Sequence, residues 1–463
     1  MMEIRKWLSK QVFSEESIAP LVVFRILFGS MMLLSTLRFM LKGWVTDLYI
    51  TPTYFFTYSG FDWVKPFDEF GMFIVFGAIL ISCLFITIGL FYRFSALIFF
   101  IAFTYIELLD KTNYLNHYYF ISLVAFLMMF LPANKRCSLD LYFGFTDKKN
   151  KVARWTINII KFQLAVVYIF AGISKLNYEW LIEAQPLINW LKHQTDLPLI
   201  GALMKYEFTA FLFSWGGALF DLLIVFILLN KRFRIYGYVM VILFHGLTAV
   251  MFPIGVFPYV MIVSTLIFFS TSFHEKTITA IESLMPIKLK KDSLVSAGIK
   301  NIKPKPYIGI LLSLYIFIQL LVPLRYIMYP GKLFWTEQGY RFSWRVMLIE
   351  KVGYAQFYIH EDGGTGKKLI NNRQYLTPQQ EKMMSTQPDM ILQYAHHLRD
   401  EYSNKTFIEK NGKQIHLVIP KVTAEIYVSL FNKGSRLFID PDENLSSLNR
   451  GVGHKKWIRK YEN

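Results

Sequence analysis

Apolar residues fill most of the chain as far as Val322, in runs whose length suits helices crossing a bilayer rather than strands. The runs are Leu21–Leu41, Met72–Leu90, Ala96–Leu109, Tyr118–Leu131, Ile157–Leu176, Ala210–Leu229, Ile235–Met251, Ile254–Ser270 and Tyr307–Val322. They predict about nine spans, several short enough to be tilted, broken or shielded by neighbours. After Arg325 the pattern changes, with Gly, Asn, Asp and Lys frequent and no spanning run. Period-two stretches at Gln356–His360 and at Glu425–Leu430 with Arg436–Asp440 predict strands, the last two joined as a hairpin across Asn432-Lys433-Gly434. Thr377-Pro378 opens a helical stretch through Asp400. The expected fold class is an α-helical integral membrane protein of about nine transmembrane helices with a C-terminal β-rich soluble domain. Residues 1–325 form the multi-span helical membrane domain in this reading, and 326–463 an exported β-rich domain with one long helix.

Composition agrees with a membrane chain. Of 463 residues, 54% are hydrophobic and only 18% charged, and the 17% aromatic content suits lipid-facing helices and interfacial belts. The net charge of +17 reads as an anchor to an anionic leaflet rather than a nucleic-acid surface, since no basic, aromatic-interleaved soluble module is present. Basic residues collect at Tyr92–Phe94, Lys135–Arg154, Lys231–Arg234 and Lys276–Lys305. Together with the basic Met1–Gln11 stretch they predict a cytoplasmic N-terminus and an exported C-terminus. Cys83 and Cys137 are the two cysteines, one in an apolar run and one in a basic loop, which excludes a disulfide framework. The nine histidines lack metal-ligand spacing, so no metal is expected.

Ionisable residues at membrane depth cost roughly 3 kcal/mol each on insertion scales, so each asks for a partner, a cavity or a task. The cluster Glu107-Leu-Leu-Asp110-Lys111-Thr112-Asn113 through Asn116-His117 joins two apolar runs and reads either as a satisfied interfacial loop or as part of a site. In Ala171-Gly172-Ile173-Ser174-Lys175, Tyr168, Ala171 and Lys175 share a helical face, and Gly172 permits close approach of a helix or a ligand ring. Lys175 is either a snorkelling cation or a desolvated, neutral and hence basic amine, and spacing leaves both open. Arg25, Arg38, Asp221 and His245 are further intramembrane polar positions, read first as interhelical hydrogen-bonding groups.

These clusters carry a resemblance. Leu109-Asp110-Lys111-Thr112 through Asn116-His117, Ala133-Asn134 with Ser138-Leu139-Asp140, and Ala171-Gly172 through Lys175-Leu176 and Trp180 resemble, in order and spacing, the HTTM-type membrane core of vitamin K-dependent γ-glutamyl carboxylases. Gly216-Gly217 with Asp221, Phe244-His245 to Phe257-Pro258-Tyr259, and the stretch Trp335 to Arg345 look like bacterial members of that family. Tyr375-Leu376-Thr377-Pro378, Pro388-Asp389-Met390 and Phe438-Ile439-Asp440-Pro441 extend the likeness to about nine-tenths of the chain.

The resemblance implies an enzyme in which vitamin K hydroquinone and O2 yield an epoxide and a strong base, the base removes a γ-proton from peptidyl glutamate, and the carbanion captures CO2. It assigns Lys175 as the base acting on the hydroquinone and His117 as a hydrogen-bonding partner of the oxyanion. Asn116, Asp110, Lys111, Gly172, Tyr168, His245 and Asp221 become candidates for the quinol pocket, and Trp335, Ser343, Trp344 and Arg345 form the motif of the exported domain. The implied partners are the lipid bilayer, the quinol and a glutamate-containing peptide or protein, in a bacterial inner membrane with a periplasmic C-terminal domain or in the endoplasmic reticulum with a lumenal one. Differences fall at Ser174, where animal members carry a second lysine, at Arg345, where they carry an acid, and in the absence of any cysteine after Cys137. Two rivals therefore stand: a quinol epoxidase without carboxylation, and a quinone- or lipid-binding membrane protein without turnover.

Overall fold

The computed structural model describes residues 12–284, 306–360, 366–408 and 414–462. The Met1–Gln11 stretch and most of the basic residues of Lys276–Lys305 lie outside these. Helices α1 (Ala19–Leu41), α2 (Glu69–Ile88), α3 (Tyr92–Leu109) and α4 (Asn116–Met128) form one packed group. The helices α5 (Trp155–Lys175), α6 (Glu207–Leu229), α7 (Arg234–Met251), α8 (Phe257–Thr265) and α9 (Thr271–Leu284) follow, and α10 (Pro306–Leu321) completes the set.

Seven helices among the described residues are long and apolar enough to cross a membrane. An eighth crossing is supplied if the pair Phe257–Phe268 and Thr271–Ser283, bent by 112°, counts as one span. The remaining run, Tyr118–Leu131, forms α4, whose 13 residues cover only about 20 Å. Contacts nonetheless carry α4 back along α3: its first residue follows the turn that ends α3, and at its last turn Tyr92, the first residue of α3, donates its hydroxyl to Met128 O at 2.8 Å. Protein on all sides lets a helix this short run between the two ends of its neighbours.

Local chemistry sets the breaks. Asp68 caps α2 by accepting from Gly71 N at 2.9 Å, and Gly89 ends it in the left-handed region at φ 68°. That turn is crowded. Gly89 O accepts from Asp140 N at 2.9 Å, while the Asp140 carboxylate takes Phe91 N at 2.6 Å, Tyr92 N at 3.1 Å and Asn134 Nδ2 at 2.7 Å. Buried Arg25 of α1 reaches across to Cys137 O. Arg25 thus bonds from α1 to a loop carbonyl, where the sequence suggested a bond between helices.

Past Arg325 the chain builds a four-stranded antiparallel sheet in the order β4 (Lys367–Leu369), β3 (Lys351–His360), β7 (Lys421–Leu430), β8 (Ser435–Leu437). Two short pairs stand apart from it, β1 (Glu15–Ser17) with β2 (Lys151–Ala153), and β5 (Lys405–Ile408) with β6 (Gln414–Leu417). In β7 the buried Val422, Ala424, Ile426, Val428 and Leu430 mark one face by period two. The expected hairpin is present: Phe431 and Asn432 adopt φ 53° and 57° between β7 and β8. The single long helix expected from Thr377 to Asp400 is two, α11 (Pro378–Met384) and α12 (Pro388–Tyr402). Pro388 forces Gln387 into extended backbone at φ −112° and ψ 112° and so divides the run.

Gly89→Ala should destabilise the fold by at least ~1 kcal/mol, because its Cβ would lie 1.6 Å from Arg25 Nη1 on a left-handed backbone. Thermal unfolding in detergent reads this directly; a variant that melts with the wild type would show that Arg25 yields without cost.

Candidate active site

Lys175 is the last residue of α5, and Asp221 lies in the middle of α6. Their side chains meet, Lys175 Nζ donating to Asp221 Oδ2 at 2.6 Å, with each side chain only 7% exposed. The two helices can approach this closely because Gly172 faces Leu222: a Cβ there would sit 2.7 Å from Leu222 Cγ. Around the pair is an apolar cavity of about 100 Å³, walled by Tyr168, Trp180, Gly217, Phe244, His245 and Phe257 among others. The Lys175 ammonium also lies 5.4 Å from the Trp180 ring centroid, and the Trp180 indole donates to Ser214 O at 2.7 Å. Tyr168 Oη is 3.1 Å from His245 Nε2 and 3.3 Å from Thr265 Oγ1, fixing three helices at the cavity wall.

The cavity gathers Lys175, Asp221, Tyr168 and His245 from the sequence-derived candidates. Gly172 acts at the helix crossing behind it. His117 does not line the cavity. Its ring packs 5.6 Å from Phe257, which in turn packs 5.7 Å from His245, so the Phe257 ring stands between the two imidazoles. His117 Nε2 is buried without a hydrogen-bond partner among the described residues.

Asp110, Lys111 and Asn116 do not line this cavity. They form a seam onto which the C-terminal region docks. Gln380 donates to Asp110 Oδ2 at 2.8 Å, Lys111 pairs with Asp389 at 2.8 Å, and Asn116 donates to Arg345 O at 3.0 Å. The Asp389 carboxyl is shared with Arg341, also at 2.8 Å. Burial opposes its ionisation, yet Arg341 and Lys111 hold it well below the usual carboxylate range.

The Trp335–Arg345 motif serves the same seam. Trp335 is buried against Phe438, Ser343 donates to Tyr340 O, Trp344 stacks on Tyr119 of α4 at 5.0 Å, and Arg345 lies over the Tyr326 ring at 4.2 Å. The next two residues, Val346 and Met347, enter the wall of the Lys175 cavity, a contribution the sequence had not suggested. The other omission was the pairing of Lys175 with Asp221. Gly217 and Asp221, four residues apart on one face of α6 and both on the cavity wall, carried the available signal.

These features define a polytopic helical membrane protein whose buried lysine–aspartate pair is closed over by a β-containing C-terminal region. The HTTM domain family matches residues 13–273, and the family described as vitamin K-dependent gamma-carboxylase, lumenal domain, matches residues 304–463. No solved structure matches the chain. The chain belongs to the vitamin K-dependent gamma-carboxylase family.

A depressed carboxyl stabilises above its unfolded value of about 4 and loses that contribution as pH falls below it. The melting temperature of the wild type should therefore drop as pH is lowered past about 4, and Asp389→Asn should melt lower at neutral pH with a shallower acid dependence. Identical pH profiles for the two proteins would remove Asp389 from the docking seam.

Proposed function

We propose that the chain is a vitamin K-dependent carboxylase-like enzyme that oxidises vitamin K hydroquinone with O2 at Lys175 and couples this to CO2 addition at the γ-carbon of peptidyl glutamate. The observation that carries the reading is the Lys175–Asp221 pair, enclosed in an apolar cavity at the end of a membrane helix. A quinol hydroxyl has a phenol-like pKa near ~10, so it yields its proton at neutral pH only to a base kept from water. The pair supplies one. In the transfer the salt-bridge proton passes to Asp221 and Lys175 takes the proton of the quinol, which leaves the quinol oxyanion beside the ammonium that stabilises it. The apolar wall admits a lipid-soluble ring system and excludes water from the strong base formed later.

His117 fits the role of hydrogen-bond donor to the oxygenated intermediate. Its free Nε2 is the supporting observation, and rotation of Phe257 would open the separation from the Lys175 cavity. In the same reading the N-terminus faces the cytoplasm and the C-terminal region faces the exported side, periplasmic or lumenal, so that the peptide arrives from water while the quinol enters from the bilayer. The basic stretches Lys135–Arg154 and Lys231–Arg234 support that orientation.

Detergent-purified protein supplied with vitamin K hydroquinone and O2 should form the epoxide, and labelled CO2 with a glutamyl peptide should yield labelled peptide. Epoxide without label would leave a quinol epoxidase, and absence of both would leave a binding protein. Lys175→Ala and Asp221→Asn should each lower epoxide formation by about two to four orders of magnitude in proteins that elute as the wild type. Activity within a few-fold in either variant would sink the assignment of the pair as base.

His117→Ala should lower the rate by about two to three orders of magnitude while the Michaelis constant for the hydroquinone changes little, because a donor aimed at a developing oxyanion acts mainly in the transition state. A defect confined to quinol affinity would place His117 in substrate binding instead.

A further inference from the structure

A second cavity, of about 350 Å³, lies where the C-terminal region meets the turn between α3 and α4. Its chemistry is the opposite of the first. Five cationic side chains, Lys111, Arg325, Arg341, Arg450 and Lys455, face it against the two carboxylates Asp389 and Glu337. Those carboxylates are already engaged: Asp389 by Lys111 and Arg341, and Glu337 by Lys351 at 2.8 Å. Arg450 is held by Asp62 at 3.0 Å, whereas the Lys455 ammonium forms no hydrogen bond or ion pair among the described residues and feels Asp389 only at longer range, behind Lys111 and Arg341. The cations of Arg325 and Lys455 thus lack a carboxylate of their own in a half-enclosed chamber, an arrangement that stabilises a bound anion.

The walls are built rather than fortuitous. The loop carrying Arg450 and Lys455 is tied down by Tyr329, which donates to Val452 O at 2.7 Å, and by Gln338, which donates to Gly453 O at 3.2 Å and lies 2.8 Å from His454 Nδ1. The opposite wall is the segment Glu337 to Phe342, in which Glu337 and Phe342 are held at φ 51° and 59°. Continuing this segment, Trp344 and Met347 adopt φ 59° and 55°, and Val346 and Met347 line the Lys175 cavity. One strained strap therefore borders both chambers. Phe342 and Val346 are four residues apart, so their Cα atoms are separated by at most roughly 14 Å.

We propose that the basic chamber binds carboxylate side chains of an acidic peptide, holding it so that a glutamate about three to five residues away lies at the Lys175 cavity. This deepens the reading of the chain as an enzyme acting on peptidyl glutamate and rests on it. The chamber is walled mainly by segments of the C-terminal region, which favours a peptide over a lipid headgroup.

The test uses the full-length protein in phosphatidylcholine nanodiscs and a fluorescein-labelled peptide of about ten residues with glutamates spaced as above, beside its glutamine counterpart. Anisotropy without quinol or CO2 should show the glutamate peptide binding at least roughly tenfold tighter, with the difference shrinking as salt is raised. Lys455→Gln should remove that preference and Lys455→Arg should restore it. Equal affinity for the two peptides overturns the proposal, and this comparison stands on the wild type even if a variant fails to fold. A preference unchanged in well-folded Lys455→Gln also overturns it. So does a chamber that answers to lipid instead: phosphatidylglycerol in the disc raising the melting temperature of the wild type but not of Lys455→Gln, with no peptide preference. Epoxide formation by the wild type is measured separately. Epoxide without charge-dependent peptide binding defeats this inference alone, and peptide binding without epoxide defeats the catalytic reading alone.

Discussion

A lysine and an aspartate held almost free of water between two membrane helices set the terms for much of the structure. Two charges removed from water each cost several kcal/mol, which only close mutual contact recovers, so the 2.6 Å separation of Lys175 and Asp221 has little latitude. That separation depends on how near α5 comes to α6, and hence on the absence of a side chain at Gly172. It depends also on the cavity staying dry. Trp180, anchored by its indole to Ser214 O, and the Val346–Met347 segment close the side that faces the C-terminal region. A polar pair at the end of a span would otherwise be hydrated from that side, and water would compete for the contact between its two members.

This requirement explains why the C-terminal region is fastened by charges rather than by apolar contact alone. Lys351 is buried with Glu337 and donates to Trp335 O and Thr386 O, locking the start of the strap to the start of β3. Asp389 opens α12 and binds the turn beyond α3 through Lys111. Removing either partner of such a buried set leaves an uncompensated charge, so the seam has one stable register rather than a sliding range. The run of left-handed residues in the strap, each costing about 1 kcal/mol, is tolerated because both of its ends are fixed in this way.

What the sequence disclosed follows the range over which each interaction acts. Hydropathy marked the membrane crossings because lipid imposes the same rule on every span. It could not show that α4 stays short while running beside α3, since that depends on protein packed around it. The hairpin at Asn432-Lys433-Gly434 was legible from turn chemistry, but the break at Gln387 was passed over although Pro388 announced it. In the site, Lys175 stood out on its own helix, although spacing left a snorkelling cation and a buried base both open. Its partner was not, because Asp221 lies 46 residues away and reads in isolation as an interhelical hydrogen-bonding group. The Asp110–Lys111 turn was read as either a satisfied interfacial loop or part of a site. Its partners Gln380 and Asp389 lie 270 and 278 residues onward, beyond the reach of any local pattern.

The roles proposed for the two cavities impose incompatible demands on one molecule. A base strong enough to deprotonate a quinol needs an apolar enclosure, whereas a site for anionic groups needs exposed cations with access to water. Placing both in one chamber would hydrate the base and let the anion meant for the other site compete with Asp221 for Lys175. The fold separates them by assigning the first to the ends of α5, α6 and α7 and the second to the seam between α3, α4 and the C-terminal region. It then joins them through a short stiff segment instead of a flexible loop. Trp344 stacks on Tyr119 and Asn116 holds Arg345 O, so the backbone that leads from the basic chamber to Met347 is pinned at two successive residues before it reaches the wall of the Lys175 cavity.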